Sequence, residues 1–290
     1  MAERTNGESE AADIATTRRA AGVVDNPWRA LRDFTDARIG LGRAGISLPT
    51  HELLAFQLAH AQAKDAVHLP LDVGTLCEHL MALGAPAPTD EPLRLRSQAN
   101  DRITYLQRPD LGRRLDDESC ARLGGDESDT QAACDLALVV VDGLSARAVQ
   151  AHAAPFIGAL SDALDADDDE WQLARLTVVE QGRVAIGDEI GERLNARAVL
   201  VLIGERPGLS SPDSLGVYLT WSPEPGTTDA YRNCISNIRP AGLQIAEASE
   251  RALYLLREAR RLELSGVKLK DRSGDDVIEH DSEPGNFLIS

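Results

Sequence analysis

Ser145 lies in Gly143-Leu-Ser-Ala-Arg147, and His152 follows seven residues later. A serine and a histidine brought together can act as nucleophile and general base when an acid orients the imidazole. The nucleophile elbow of a hydrolase needs GxSxG, however, and the second glycine is replaced by Arg147. Ser145 therefore reads first as a helix N-cap, with a Ser-His-Asp hydrolase as the competing reading. The cysteines, Cys77, Cys120, Cys134 and Cys234, form no CxxC pair and match no zinc spacing. Cys234, in Arg-Asn-Cys-Ile-Ser-Asn, reads equally as a pocket-lining thiol or as a small core residue. His60 and His68 lack the i, i+4 spacing of a helical metal pair, so His60 reads as a core or interface histidine. Gly40-Leu-Gly-Arg-Ala-Gly45 fits GxGxxG, but a helical pattern precedes it and Ser-Leu-Pro-Thr follows. A glycine-rich connector is preferred there over a dinucleotide site. No P-loop, HExxH or EF-hand is present, and neither a metal-ligating set nor a catalytic set is assigned to this chain.

Three segments become candidates through the elements that must position them. Leu136 to Val141 is a continuous apolar run, the pattern of a strand buried on both faces. Leu173 to Val179 and Ala198 to Ile203 read as a second and third strand, and Gly216 to Trp221 as a fourth. Helical patterns from about Ser145 to Ala163 and from about Val184 to Leu194 separate the first three. Strand, helix, strand, helix, strand predicts parallel pairing with right-handed crossovers. In such sheets ligands sit beyond the carboxyl ends of the strands. That rule selects Asp142 to Ser145, Glu180 to Val184 and Gly204 to Gly208, whose glycines let a ligand approach the backbone. The competing reading is a set of ordinary βα turns.

The rest of the chain supplies a second region. Residues 1–25 read as a polar tail with a weak helix from Ala11 to Val24. Asn26-Pro27 is a helix start, and a helix is predicted from Trp28 to about Arg38. A further helix begins at Pro49-Thr50 and places Leu53, Phe56, His60, Ala63 and Val67 on one face. Gly74 to Leu83 reads as helical, Gly84 to Pro92 as a loop, and Gly124 to Asp129 as a flexible boundary. The expected fold is a mostly helical N-terminal domain, residues 26–130, followed by an α/β, Rossmann-like domain with a parallel sheet, residues 131–270. A long helix carries Ile245, Ala248, Ala252, Leu255, Ala259 and Leu262 on one stripe and is expected to end at Ser265-Gly266. Residues 271–290, with six acids and one arginine, read as a solvated acidic tail.

Composition narrows the partners. The 290 residues hold 47 acidic and 30 basic side chains, a net charge of −17, which repels phosphate backbones and anionic lipid and excludes nucleic acid and membrane surfaces as expected partners. No run of 18 apolar residues exists, so no membrane span is expected. The N-terminal residues lack an apolar signal core and the cysteines fit a reducing compartment, so a cytoplasmic location is expected.

Seven segments, in order, carry a resemblance. They are Ala37 to Gly45, His60 to Val67, Leu106 to Leu115, Val140 to Ser145, Gly182 to Glu192, Leu202 to Leu209 and Cys234 to Ile238. Together they resemble the small (light) subunit of ethanolamine ammonia-lyase, with the match running from about Trp28 to Lys270. The resemblance implies an ammonia-lyase dependent on adenosylcobalamin that converts ethanolamine to acetaldehyde and ammonia. It implies a TIM-barrel large subunit carrying the substrate site, an assembly of six large and six small subunits, and cobalamin between barrel and small subunit. The cofactor's own dimethylbenzimidazole would stay on cobalt, in agreement with the absence of a DxHxxG loop here. Co–C homolysis would generate the radical that abstracts hydrogen from substrate, followed by amino migration and loss of ammonia, with the cofactor carrying the chemistry. Residue by residue, the resemblance implies cobalamin contacts at Val184 in the GRV run, Glu205 in the GERPG run and Cys234 in the CISN run. Val184 and Glu205 fall on strand-end loops already selected by topology. Some members of the family use the N-terminal region for packaging into a protein-shelled microcompartment, which the weak helix near Ile14 to Val24 allows.

Overall fold

A computed structural model describes residues 23–84, 90–124 and 133–273. The chain forms two compact units, Met1–Lys64 with Gly208–Ser211, and Asp65–Pro207 with Pro212–Ser290. The helix expected up to Val24 is instead a strand where it is described, and the remainder of it lies outside the described residues, as do residues 125–129 of the boundary loop and all but three residues of the acidic tail.

In the first unit, β1 (Val23–Val24) pairs antiparallel with β2 (Arg43–Ala44). Asn26 caps a 3-10 helix over Pro27–Asp33, its side-chain oxygen accepting from the Trp28 N–H, and this helix ends at Asp33 rather than at the expected Arg38. The GLGRAG run contains β2, a connector rather than a strand-to-helix turn. Helix α1 (Thr50–His68) turns its expected apolar face outward: Leu53, Phe56 and His60 are exposed, and Glu52 and Ala59 are buried instead. Glu52 is held by Arg29, Arg32 and His51.

The second unit is built around one six-stranded sheet. It contains α2 (Val73–Met81), β3 (Leu93–Arg96), α3 (Arg102–Gln107), α4 (Asp117–Leu123), β4 (Cys134–Val141), α5 (Ala146–Asp165) and β5 (Thr177–Glu180). These are followed by α6 (Ile186–Arg193), β6 (Ala196–Gly204), β7 (Leu215–Trp221), β8 (Arg232–Ile238) and α7 (Ile245–Leu262). The strand order is β3-β5-β4-β6-β7-β8. The pairs β3/β5, β5/β4 and β4/β6 are parallel, as the alternation predicts; β6/β7 and β7/β8 are antiparallel. The reason lies in the connection: residues 205–214 contain no helix, so the chain cannot cross over and returns beside β6 in the opposite sense. β3 lies within the span 26–130 expected to be helical, yet it forms the edge of this sheet.

β4 is buried along nearly its whole length because both faces are covered. Leu136, Leu138 and Val140 pack with α5, α7 and α2 through Phe156, Ile157, Leu160, Leu255 and Leu76. Ala137, Val139 and Val141 face the other way, onto Ile186 and Ile190 of α6. The crossover helices α5 and α6 therefore lie on opposite faces. The chain steps from β4 outward to β5, then back across to β6, so the strand order reverses between β4 and β6. Of the last helix's expected stripe, Ala248, Ala252, Leu255 and Ala259 are buried, whereas Leu262 is exposed. Glu263, at φ 53°, ends that helix, two residues before the Ser265-Gly266 stop expected from sequence.

Candidate functional site

Where strand order reverses, neighbouring loops leave in opposite directions and open a crevice at the strand ends. Here the crevice is walled by the three segments after β4, β5 and β6, and their backbones are tied together. The Leu144 N–H donates to the Gly204 carbonyl at 2.8 Å, and the Gly182 N–H donates to Asp142 Oδ1 at 3.2 Å. Gly143 adopts φ +59°, where a side chain is strained, and an added Cβ at Gly204 would overlap the Ser145 carbonyl oxygen. The loops are thus fixed by close backbone approach.

Arg102 of α3 reaches this knot from below. Its Nη1 donates to the Gly143 carbonyl at 2.8 Å, to Gln181 Oε1 at 3.3 Å and to Asp142 Oδ2 at 3.4 Å. Asp142 is almost completely buried, and burial pushes its carboxyl up to about 6, against the pull of Arg102 and of the Gln181, Gly182 and Gly143 N–H groups. Tyr105, fully buried, donates its hydroxyl to the Gly182 carbonyl at 3.0 Å. Two guanidinium groups lie over its ring, Arg183 at 4.2 Å and Arg102 at 4.8 Å.

Two clefts adjoin the knot. One, of about 390 Å³, is lined by Tyr105, Leu144, Arg183, Val184, Ile203, Gly204, Glu205, Arg206 and Tyr218. The other, of about 590 Å³, shares Arg183, Val184 and Tyr218 and continues past Arg113, Arg114, Glu189 and the loop Pro225 to Asp229. Val184 and Glu205 are thus brought to one cleft from different strand ends. Cys234 lies one strand further out, directly opposite Tyr218 in the β7/β8 register and exposed at the surface. Tyr218, absent from the sequence expectations, is the side chain that links all three. Burial pushes its hydroxyl well above the ordinary phenol range, and burial also raises the Cys234 thiol, so both stay protonated near neutrality.

Glu205 is half-buried and held on one side only. Its Oε2 accepts from Ser214 Oγ at 2.5 Å and from the Asn237 N–H at 3.2 Å, and Gly216 leaves room for the carboxylate. Oε1 accepts no hydrogen bond from any described residue. Beneath the same region Asp188 of α6 meets Arg232 of β8 in a buried bidentate pair, Nη1–Oδ1 2.5 Å and Nη2–Oδ2 2.6 Å.

The hydrolase reading fails on geometry. Ser145 Oγ gives its single proton to the Pro212 carbonyl at 2.8 Å and accepts from the Ala148 N–H, as an N-cap does. His152 is buried, and burial holds its imidazole below the usual histidine range. No group of three or more His, Cys, Asp or Glu side chains is arranged for a metal among the described residues, and no described helix is long and apolar enough to cross a membrane.

Fold and site define a class: a mixed α/β protein with clefts at the strand ends of a mostly parallel sheet and no metal cluster among the described residues. Comparison with known proteins places the chain in a family. The family described as "Ethanolamine ammonia-lyase light chain (EutC)" matches residues 25–270. Similar relatives include the ethanolamine ammonia-lyase small subunits of Azotobacter vinelandii, 56% identical over 92% of this chain and 97% of its own length, and of Ralstonia nicotianae, 55% identical over 93% and 96%. The small subunit of Pseudomonas paraeruginosa is 54% identical over 92% and 96%. The chain belongs to the ethanolamine ammonia-lyase small-subunit family and is a subunit of a lyase made of unlike chains.

Proposed function

We propose that this chain forms part of the adenosylcobalamin site of an ethanolamine ammonia-lyase, with the cofactor bound base-on between the crevice and a TIM-barrel large subunit that carries the substrate. The observation that carries the reading is the convergence of Val184 and Glu205 on one cleft at the strand-order reversal, with Cys234 beside the shared Tyr218. In this reading the second unit is a Rossmann-like cofactor-binding domain. When bound, the cofactor supplies the radical chemistry that converts ethanolamine to acetaldehyde and ammonia.

The residues fit such a group. A corrin carries amide side chains around a broad apolar ring. Glu205 Oε1, held in place through Oε2 and without a donor of its own, accepts an amide N–H. Val184, Leu144 and Ile203 give apolar contact to the ring's edge. Neither cleft is large enough to enclose a whole macrocycle, which favours a second subunit as the other wall. The protonated Tyr218 and Cys234 add no charge and no competing nucleophile.

A partner is also favoured by the first unit. Trp28 is 67% exposed and Phe34 86%, and Ile46, Leu54 and Leu58 of the same unit are also exposed. Large apolar side chains left exposed in this number on one small unit support a partner-covered surface. We take the assembly to be six large and six small subunits in the cytoplasm. Packaging into a microcompartment would involve residues 1–22, and a deletion of these residues is expected to abolish encapsulation while leaving the assembled enzyme active; unchanged encapsulation removes the idea.

The test is a cobalamin titration of the co-expressed large and small subunits, read by visible absorbance. Glu205→Ala removes an acceptor and is expected to weaken affinity by roughly 5- to 15-fold, the worth of one hydrogen bond. An unchanged dissociation constant refutes the assignment of Glu205. Ethanolamine-dependent acetaldehyde release from this chain without a large subunit refutes the subunit reading.

A further inference from the structure

Most described arginines are spent on carboxylates, as expected in a chain with 47 acids. Arg113, Arg114 and Arg183 are not: none pairs with a described carboxylate, yet all three line the larger cleft. Of the two acids in the same cleft, Glu189 is engaged and Asp229 only shares the arginine of another carboxylate. Glu189 accepts from the Leu115 N–H at 3.1 Å and pairs with Arg193, and Asp229 faces the buried Arg232. Arg232 is already matched by Asp188, so Asp229 remains as one exposed carboxylate facing three arginines, and the concavity is net positive within a strongly acidic molecule. The position is built rather than incidental. The Arg183 N–H donates to the Gly112 carbonyl at 2.7 Å, which ties the turn bearing Arg113 and Arg114 to the strand-end loop bearing Val184. Gly112 is buried against the Arg183 side chain, and Arg183 Nε is buried without a hydrogen-bond partner.

We propose that Arg113, Arg114 and Arg183 hold the phosphodiester of the cofactor's nucleotide loop. The inference rests on the cobalamin reading and extends it from the corrin edge to a second subsite. The chemistry is a singly charged tetrahedral oxyanion met by guanidinium forks. The geometry is continuity: Val184, Arg183 and Tyr218 belong to both clefts, so one extended ligand lying over Val184 reaches both. Thr228 lines the same cleft.

The test uses the assembled large and small subunits and two probes, adenosylcobalamin and adenosylcobinamide, which lacks the nucleotide loop and its phosphodiester. Binding is read by visible absorbance, independently of turnover. Arg113→Gln/Arg114→Gln is expected to weaken adenosylcobalamin by roughly 10- to 100-fold and adenosylcobinamide by less than about 3-fold. Arg113→Lys/Arg114→Lys, which keeps charge and fold, is expected to retain adenosylcobalamin affinity within about 5-fold, and only the Gln variant should lose the salt dependence of binding. Equal weakening of both probes, or no weakening of either, overturns the phosphodiester assignment while leaving the cobalamin reading intact. Loss of the large subunit with unchanged cofactor affinity overturns it in favour of an acidic segment of the partner in this cleft. Wild-type protein that binds neither probe overturns the cobalamin reading itself.

Discussion

The buried pair between Asp188 and Arg232 offers a prediction with a magnitude and a sign. Asp188 has no exposed side-chain surface and Arg232 almost none, and Arg232 also donates to Thr220 Oγ1 and the Thr227 carbonyl. Arg232→Met keeps the aliphatic stem and leaves the carboxyl buried without a counter-charge. In water Asp188 would titrate near 3.8; in the variant fold it must stay protonated. Holding it neutral at pH 7 costs about 3.2 units at ~1.36 kcal/mol each, or about 4 kcal/mol; burial raises the Asp188 carboxyl even in the wild-type pair, so this figure is the ceiling of the variant's deficit. At about pH 4.5 the same cost is only about 1 kcal/mol. The sign follows: the variant's carboxyl has a raised folded pKa, so its fold gains stability relative to wild type as pH falls toward 3.8. Thermal unfolding of the purified chain, followed by circular dichroism, should show a Tm deficit on the order of 10 °C at pH 7 that closes to a few degrees near pH 4.5. Asp188→Asn in the Arg232→Met background should recover much of the loss at pH 7. A deficit equal at both pH values, or a double variant worse than the single one, refutes the reasoning.

Ser145→Ala should lower stability by about 1 kcal/mol through the lost N-cap and leave the activity of the assembled enzyme near wild type; abolished turnover would restore a catalytic role for Ser145. Asp142 titrates from its ordinary 3.8 up to about 6 when folded, so its ionisation should cost the fold about 3 kcal/mol as pH rises between those values. Asp142→Asn should flatten that part of the stability–pH curve, and an unchanged slope in chemical denaturation would show that Asp142 is not its source.

The parts of this molecule that were legible in sequence are those where burial is two-sided or where topology alone selects a place. Leu136 to Val141 could only be a strand covered on both faces, and it is the central strand of the parallel region. Once the alternation of strands and helices was read, Val184 and Glu205 fell at strand ends, and the crevice there contains both. What was not legible is one-sided or edge structure. β3, Leu-Arg-Leu-Arg, is a four-residue strand after a proline-rich stretch, and β8, Arg-Asn-Cys-Ile-Ser-Asn-Ile, is too polar to announce itself because it lies at the other edge. The face of α1 was read from periodicity alone, but periodicity reports a stripe and does not say whether this chain or another covers it. Tyr105, Arg102 and Tyr218 were missed because their roles depend on contacts between distant segments. The only sequence signal was scarcity: the chain has four tyrosines, and two of them line the candidate site.

The outer edge of β8 carries a consequence for how this chain survives as a solitary sheet. An uncovered edge strand is a template on which a second molecule can add its own strand. Here Asn233 donates to the Gly266 and Leu269 carbonyls and accepts from the Gly266 N–H, so the segment after α7 is fastened along that border. Further along, Leu243 bridges to Ile238 and closes the strand's far end. The turn at Gly266–Lys268 thus works as a selvedge: it is stitched to the border strand through the Asn233 side chain, and Leu243 occupies the backbone row at Ile238.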